Sequence, residues 1–317
     1  MRRLILLPAA LLLASTGCEW LKSTGGPVKD RQLASGPVKP KTATELVGYL
    51  NDQAALVQTL KFAPVSIYVK TDRDTNTLGQ STLVVEQPRN FALDGDKAVL
   101  SDIVKLGSND REFWMYSKFP QPTYLYCSHD DFAHGAANKL PVPFDPDWVM
   151  QALGMARYDP NRVYHVDTDD KAREHALSYE TTTPQGVTVR RVVVFAAEGQ
   201  DGTVPQVRRH LIEDTNRQVI AVAEVKTVTR HAVRDAWVAI PSRIVLDYPR
   251  ERFTMDLKLG KPQAVNDPIS DAERQKLFTR PNMGVTPINL ATATTRFGPS
   301  SARGVAPDDL PPRRGRR

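Results

Sequence analysis

Short apolar stretches with a two-residue period run along the chain from Val65 to Leu259. They are rich in Val, Ile, Thr and aromatic residues and are separated by turn-forming residues, which is typical of β-strands. In Arg252 to Leu259 apolar and polar side chains alternate, so one face of that strand is expected to be buried and the other wet. The twelve predicted strands are Val65 to Lys70, Ser81 to Glu86, Asn90 to Leu93, Ala98 to Leu106, Glu112 to Ser117, Thr123 to Ser128, Ala176 to Thr181, Val187 to Ala196, Val207 to Glu213, Val219 to Val228, Trp237 to Asp247 and Arg252 to Leu259.

Two segments have helical periodicity instead. Thr42 and Glu45 have capping-box spacing, and apolar residues follow as far as Leu60, so an amphipathic helix is predicted there. A shorter helix is predicted over Asp145 to Gly154, with an aspartate N-cap, a proline in the first turn and a glycine stop. Many hairpin-linked strands and few helices predict a mainly β (α+β) fold, which we expect to be an unclosed antiparallel β-barrel or strongly curved sheet.

The N-terminus has the order of a secretory signal: two arginines, an apolar stretch from Leu4 to Ala14, and small residues before a cysteine. The apolar stretch is too short to span a bilayer as a helix. Ser15-Thr16-Gly17-Cys18 resembles a lipobox, although Ser15 stands where that pattern usually has Leu, Val or Ile. The resemblance implies cleavage before Cys18 and acylation of that cysteine. Two or three acyl chains give stable anchoring, whereas a single chain binds only marginally.

These features divide the chain into four predicted regions. They are a lipoprotein signal peptide at 1–17, a lipidated cysteine and flexible tether at 18–41, a folded domain at 42–280 and a Pro/Arg-rich, disordered tail at 281–317. Removing Arg2 and Arg3 with the signal lowers the net charge from +6 to +4. The arginines of the tail either contact anionic lipid or wall polymer or stay solvated, and we favour the second interpretation.

The sequence holds few signs of chemistry. It contains no G-x-S-x-G, H-E-x-x-H, P-loop or G-x-G-x-x-G motif, and we expect no enzyme activity, no cofactor and no catalytic or metal-binding residue. Basic pairs such as Arg190-Arg191 and Arg208-Arg209 lie on strand edges rather than in a stripe with aromatic residues, so nucleic-acid binding is not expected. Once Cys18 is acylated, only Cys127 remains, and no disulfide within the chain is expected.

Two polar clusters contain the kinds of side chain that metal or catalytic sites use. Cys127 to His134 holds one thiol, two imidazoles and two carboxylates, which are groups that zinc or a nucleophilic site would use. We favour a buried cysteine at the end of a strand, followed by a polar loop. Asp167, Asp169 and Asp170 form an acidic run, but a calcium loop's glycine and closing glutamate are missing, so a solvated turn is predicted.

Three segments carry a resemblance to a known family. They are the helix from Thr42 to Leu60, the stretch Gly107 to Tyr116, and Ile240 to Tyr248 with the alternating strand that follows. Over about Thr42 to Arg280 the chain resembles the LolA/LolB-like lipoprotein carriers and receptors of the bacterial envelope. The resemblance implies an unclosed barrel whose concave face, covered by helices, holds acyl chains of lipoproteins or lipids. The chain is longer than either type of family member, and His129 to Lys171 is part of the additional length. Its predicted lipid anchor makes it more similar to the anchored receptor than to the soluble carrier.

Two functions follow from this resemblance, and both remain open here. In the first, the protein is a non-enzymatic envelope lipoprotein that binds acyl chains in an apolar cavity. In the second, it is a structural or partner-binding lipoprotein with a filled core. Glu19 rather than aspartate follows the cysteine, so we expect the outer membrane, facing the periplasm; the oligomeric state is left open. The candidate cavity residues, each also compatible with an ordinary core, are Leu83, Val85, Phe113, Met115, Ile244, Leu246, Phe253, Met255 and Leu257.

Overall fold

The computed structural model describes residues 38–72, 74–97, 100–119, 121–134, 146–183, 187–197 and 206–294. Cys18 and the rest of the predicted signal and tether up to residue 37 lie outside the described residues. The helices are α1 (Ala43–Leu56), α2 (His129–Ala133), α3 (Pro146–Ala152) and α4 (Asp271–Phe278). The strands are β1 (Thr59–Lys70), β2 (Thr75–Glu86), β3 (Asn90–Lys97), β4 (Leu100–Ser108), β5 (Glu112–Ser117), β6 (Thr123–Ser128), β7 (His165–Asp169), β8 (Glu174–Thr182), β9 (Thr188–Ala196), β10 (Gln206–Glu213), β11 (Val219–Val233), β12 (Ala236–Tyr248), β13 (Phe253–Lys258), β14 (Ala264–Val265) and β15 (Ile288–Asn289).

The strands form one curved sheet in the order β15-β6-β5-β4-β3-β2-β1-β13-β12-β11-β10-β9-β8-β7, with β14 beside β1. Neighbouring strands are antiparallel, apart from the parallel pair β15 and β6. Strand β1 connects the two halves of the sheet, because it pairs with β2 on one side and β13 on the other. Within the described residues β15 and β7 do not pair with each other, so the sheet is unclosed. The predicted fold class is confirmed.

Helix α1 begins as predicted but ends earlier. Thr42 caps it: its hydroxyl accepts a hydrogen bond from the Glu45 backbone, and the Glu45 carboxylate accepts one from the Thr42 backbone. The predicted end at Leu60 is wrong, since Leu60 already belongs to β1. The Asn266 side chain donates to the Leu56 carbonyl at 2.7 Å and accepts from the Gln58 backbone at 2.6 Å. These bonds satisfy backbone groups at the helix end that another helical turn would otherwise use.

The sheet has an inner face, defined here as the face that α1 and α3 cover, and an outer face. On β2, Leu83 and Val85 pack in the same cluster as Trp148 of α3. Val84, between them, packs on the other face against Phe278 of α4. This division follows from the alternation of side chains along a strand.

The folded body extends past the predicted boundary at residue 280. Strand β15 pairs with β6, with Ile288 opposite Leu125, and Leu290 is fully buried against Phe113 and Cys127. The described part of the predicted tail therefore packs on the body, because apolar residues in 283–290 cover both faces of β5 and β6. The remainder, 295–317, lies outside the described residues.

The elements that sequence patterns missed are short or mainly polar. Strand β7 is an edge strand in which only Val166 is partly buried. Helix α4 buries a single residue, Phe278. The mid-chain helix was predicted from Asp145 to Gly154; Asp145 lies outside the described residues, and the structure has α3 at Pro146–Ala152, with Gly154 in a left-handed conformation at φ 76°. No helix in the described part of the chain has the length and apolar content that a membrane crossing requires.

Candidate functional site

The predicted cavity residues lie on the inner face of the sheet. Six of them are buried in one apolar cluster, and Met115 and Met255 pack against it. Phe113 lies in a neighbouring cluster with Leu125, Cys127 and Leu290, and Met115 contacts both clusters. The structure thus brings eight predicted residues together and joins the ninth through Met115. The six buried members of the main cluster are Leu83, Val85, Ile244, Leu246, Phe253 and Leu257.

Helix α3 occupies the centre of this face. It is seven residues long, and together with the turn that follows it buries Trp148, Val149, Met150 and Leu153. The Trp148 ring meets the Tyr248 ring of β12 edge-on, with centroids 5.8 Å apart. At the surface, the Arg89 guanidinium forms an ion pair with the Asp147 carboxylate at 2.9 Å. Since this pair is nearly half exposed on both sides, it adds little to the docking of α3.

A small cavity remains between α3 and the sheet. Its volume is about 20 Å³, roughly the space of one water molecule, but an entirely apolar lining gives water no partner. An acyl chain therefore fits beneath α3 only if the helix moves. The lining residues are Leu83, Phe91, Leu93, Val149, Ala152, Leu153, Ile244, Leu246 and Leu257.

Helix α1 covers the other part of the inner face. Leu46, Val47 and Leu50 pack on side chains of β8 and β9, among them Phe195. Polar bonds fasten this helix as well. The Asn51 amide donates to the Tyr158 carbonyl at 2.9 Å and accepts from the Tyr158 backbone at 2.8 Å.

A further bond fixes α1 to the sheet itself. The Gln53 side-chain oxygen accepts a hydrogen bond from the Ala239 backbone of β12 at 3.1 Å. Its amide nitrogen donates to the Trp237 carbonyl at 3.4 Å. Helix α1 is thus held by hydrogen bonds to the Tyr158 backbone and to β12, in addition to its apolar contacts.

A second cavity, of about 50 Å³, lies where α1, the segment after α3 and strands β10 to β12 meet. His210 and Tyr158 both line it, and both are at least nine-tenths buried. Among the residues that the structure describes, the Nδ1 atom of His210 and the hydroxyl of Tyr158 have no hydrogen-bond partner. Burial, and then the Arg191 charge, lower the pKa of His210 to about 4, whereas burial raises the pKa of Tyr158.

Sequence reasoning missed His210 because a β-bulge changes the face on which it lies. Val207 pairs with Phe195 and Arg209 pairs with Val194, so the register shifts by one residue between them. Strict alternation from Val207 would send His210 to the outer face. The bulge instead places it opposite Val193 on the inner face. Nothing in the local sequence signals this shift.

The side chains from Cys127 to His134 contact groups in their own neighbourhood. Cys127 is buried among Phe113 and Leu125, and Ser128 caps α2 by accepting from the Asp131 backbone. The His129 ring nitrogen Nε2 lies 2.7 Å from the Asn109 carbonyl. Nδ1 of His134 lies 2.6 Å from the Asp130 carbonyl. These side chains point to different partners rather than to a shared centre.

The acidic run has the same character. Asp169 accepts backbone hydrogen bonds from Lys171 and Ala172 in the turn after β7. The Asp170 carboxylate accepts one from the Val38 backbone at 2.8 Å. Among the described residues no group of three or more His, Cys, Asp or Glu side chains is placed to hold a metal ion.

Comparison with known proteins gives matches by structure only. No family model matches the sequence, and no curated protein does. A putative outer membrane lipoprotein-sorting protein domain from Vibrio parahaemolyticus matches 74% of this chain and 98% of its own, at 10% identity and a TM-score of 0.49. A LolA superfamily protein from Nitrosomonas europaea matches 74% of this chain and 97% of its own, at 13% identity and a TM-score of 0.43.

The chain is similar to structures of the LolA superfamily. A DUF1329 family protein from Desulfovibrio piger also matches 77% of this chain and all of its own, at 12% identity and a TM-score of 0.41. At these identities and TM-scores the likeness concerns the course of the chain, and the function has to be argued from the inner face.

Proposed function

We propose that this protein is a non-enzymatic envelope lipoprotein that binds acyl chains of lipoproteins or lipids on the inner face of its sheet. In this proposal α3 is displaced when a chain enters, and Cys18 carries the acyl groups that anchor the protein. The observation that supports it most directly is the continuous apolar surface beneath α3, which includes eight of the nine residues predicted from the sequence.

The exchange of α3 for an acyl chain is energetically balanced. Taking the four large buried side chains Trp148, Val149, Met150 and Leu153 out of apolar contact costs about 1.5 to 3 kcal/mol each, or about 6 to 12 kcal/mol together, and the small buried side chain of Ala152 adds less. Burying an acyl chain of about 15 methylenes returns about 12 kcal/mol at roughly 0.8 kcal/mol per methylene. The two terms are similar in size, so a chain of this length is able to compete with the helix.

The contrast with α1 supports α3 as the element that moves in this proposal. A seven-residue helix is too short to be stable by itself, so α3 depends on its contacts with the rest of the protein. Helix α1 has 14 residues, a complete capping box and the hydrogen bonds of Asn51 and Gln53. Displacing α1 would break those bonds, which an acyl chain does not replace.

A specific observation favours the second candidate function. The cavity beneath α3 and the cavity beside α1 measure about 20 and 50 Å³, so little empty space lies between these helices and the sheet. In a structural or partner-binding lipoprotein, α3 would be a permanent part of the core. Lipid uptake separates the two functions, because only the first requires α3 to leave.

The test uses the chain with Cys18→Ala, which removes the proposed acylation site, and a fluorescent fatty acid. Leu246 lines the apolar cavity, so Leu246→Trp should fill it and reduce uptake at least tenfold. Val245→Trp is the matched control: it is adjacent on β12, pairs with Asp256 and Glu224, and should leave uptake unchanged. Circular dichroism of both variants checks that the fold is kept, since overpacking destabilises by about 1 to 3 kcal/mol.

The outcomes are distinct. Uptake by the parent chain that Leu246→Trp blocks and Val245→Trp spares supports acyl-chain binding. Absence of uptake by the parent chain, or equal uptake by all three, contradicts it and favours the filled core. The intact mass of protein extracted from membranes tests the anchor separately, because cleavage before Cys18 and acylation each change the mass by a defined amount.

A further inference from the structure

Two buried side chains of the inner face carry a hydrogen-bonding atom that has no partner in the described part of the chain. His210 is opposite Val193 on β9 and Ala223 on β11, and both neighbours are buried. Buried polar groups in proteins are normally hydrogen-bonded, so each exception calls for an explanation. Here two exceptions, Nδ1 of His210 and the hydroxyl of Tyr158, line the same cavity.

The position of Tyr158 is fixed by its backbone. Both its N–H and its carbonyl are bonded to the Asn51 side chain of α1, and its side chain is buried. The backbone of His210 is fixed by the pairing of β10 with β9 and β11, and its side chain is also buried. Both polar groups are therefore close to the positions in which they would meet a ligand.

A positive charge acts on both groups. Arg191 pairs with Tyr179 on β8 and with Ile212 on β10, so it lies on the same face as His210, two residues from it in register. Its guanidinium influences the pKa of His210 and of Tyr158. The other titratable groups that influence Tyr158 are Tyr179 and Tyr164. A nearby cation and two potential hydrogen-bond donors favour an anionic oxygen ligand.

The two cavities are neighbours. Ala152 and Leu153, at the end of α3, line both the cavity beneath α3 and the cavity of His210 and Tyr158. Movement of α3 would therefore open a path between the apolar groove and the two polar groups. The cavity of His210 and Tyr158, at about 50 Å³, has room for a small head group and not for a hydrocarbon chain.

We infer that His210 and Tyr158 form a subsite for the carboxylate of a long-chain fatty acid, whose hydrocarbon tail lies in the groove that α3 covers. The Tyr158 hydroxyl and the Nδ1–H tautomer of His210 donate to the carboxylate oxygens, and the Arg191 charge attracts them. This inference rests on the proposed function, since it needs the tail to bind beneath α3. It adds the chemical class of the ligand, which the apolar groove by itself does not define.

The test compares palmitate with methyl palmitate, which has the same chain but no charge. Both are measured as competitors of a fluorescent fatty acid on the chain with Cys18→Ala. The parent chain should bind palmitate about tenfold more tightly than the ester, as expected for hydrogen bonds to a charged group. Tyr158→Phe and His210→Gln should each remove most of that preference while leaving ester binding unchanged.

A matched control removes a hydroxyl elsewhere. Tyr124 donates to the Pro281 carbonyl at 2.6 Å and does not line either cavity, so Tyr124→Phe should keep the full preference for palmitate. Circular dichroism and thermal unfolding check that each variant is folded.

The possible results separate the two proposals. Equal affinity of the parent chain for palmitate and its ester, or a preference that survives both Tyr158→Phe and His210→Gln, overturns the carboxylate subsite and leaves acyl-chain binding standing. No binding of either ligand overturns both. A preference that is lost in the two variants and kept in Tyr124→Phe supports the subsite.

Discussion

The part of the inner face under α1 and the part under α3 differ in what holds the covering helix. Under α1, apolar packing on β8 and β9 is combined with hydrogen bonds from Asn51 and Gln53 to fixed backbone groups. Under α3 the described contacts are mainly apolar, with an exposed ion pair at the rim. A hydrogen bond requires a specific partner, whereas apolar surface accepts any hydrocarbon.

This difference assigns two roles to one sheet. The α1 side is expected to remain closed and to keep the sheet in shape. The α3 side is expected to exchange its helix for an acyl chain, because the helix and the acyl chain both present apolar surface to the sheet. A curved sheet with a single apolar face thus serves as a permanent core at one end and as a binding groove at the other.

The strongest test of this comparison truncates one buried leucine on each side. Leu46→Ala in α1 should lower the free energy of unfolding by about 2 to 5 kcal/mol, as usual for a buried leucine. Leu153→Ala should have a smaller effect, because its loss is limited to the docking free energy of α3. Denaturant unfolding with hydrogen exchange measures both. Equal losses, with exchange accelerated over the whole sheet in both variants, would show that α3 is as much a part of the core as α1.

The second test concerns His210, which lines the cavity beside α1. Its pKa is lowered from 6.5 to about 4, first by burial and then by Arg191. Between these pH values the unfolded chain binds a proton that the folded chain does not, so stability falls as the pH drops below 6.5. The loss reaches about 3 kcal/mol near pH 4, since one pKa unit corresponds to about 1.4 kcal/mol.

His210→Gln should remove this contribution and make the unfolding free energy less dependent on pH between 6.5 and 4. The measurement is the difference between the pH profiles of the variant and the parent chain. His134→Gln, at the exposed end of α2, is the control and should keep the parent profile. An unchanged profile in His210→Gln would mean that this histidine is not buried as described.

The smallest expected effects compare the hydrogen bonds that hold α1 with the exposed ion pair of α3. Asn51→Ala leaves the N–H and carbonyl of Tyr158 without their partners and should cost about 1 to 3 kcal/mol of stability. Arg89→Ala removes only the exposed pair with Asp147 and should cost less than about 1 kcal/mol. Thermal unfolding of the two variants provides the measurement. A larger effect for Arg89→Ala would reverse the assignment of α1 as the firmly held helix.

Much of the sheet was predictable because its strands carry local patterns. The bounds predicted for Glu112–Ser117 and Thr123–Ser128 are those of β5 and β6, since a short apolar run with turn-forming residues on both sides marks each of them. The inner-face residues Leu246 and Leu257 were found because side chains alternate between the two faces along their strands. Local patterning did not predict the end of α1, which Asn266 sets from more than 200 residues away.

The sequence by itself determined the fold class, the start of α1 and which residues belong to an apolar face, because period-two alternation and capping residues act over a few positions. Tertiary structure alone decided that α3 lies on this face. It also decided that a bulge turns His210 inward and that Tyr158 lines the same cavity. Such arrangements depend on strand register and on contacts between segments far apart in the chain, and a single sequence holds no local record of either.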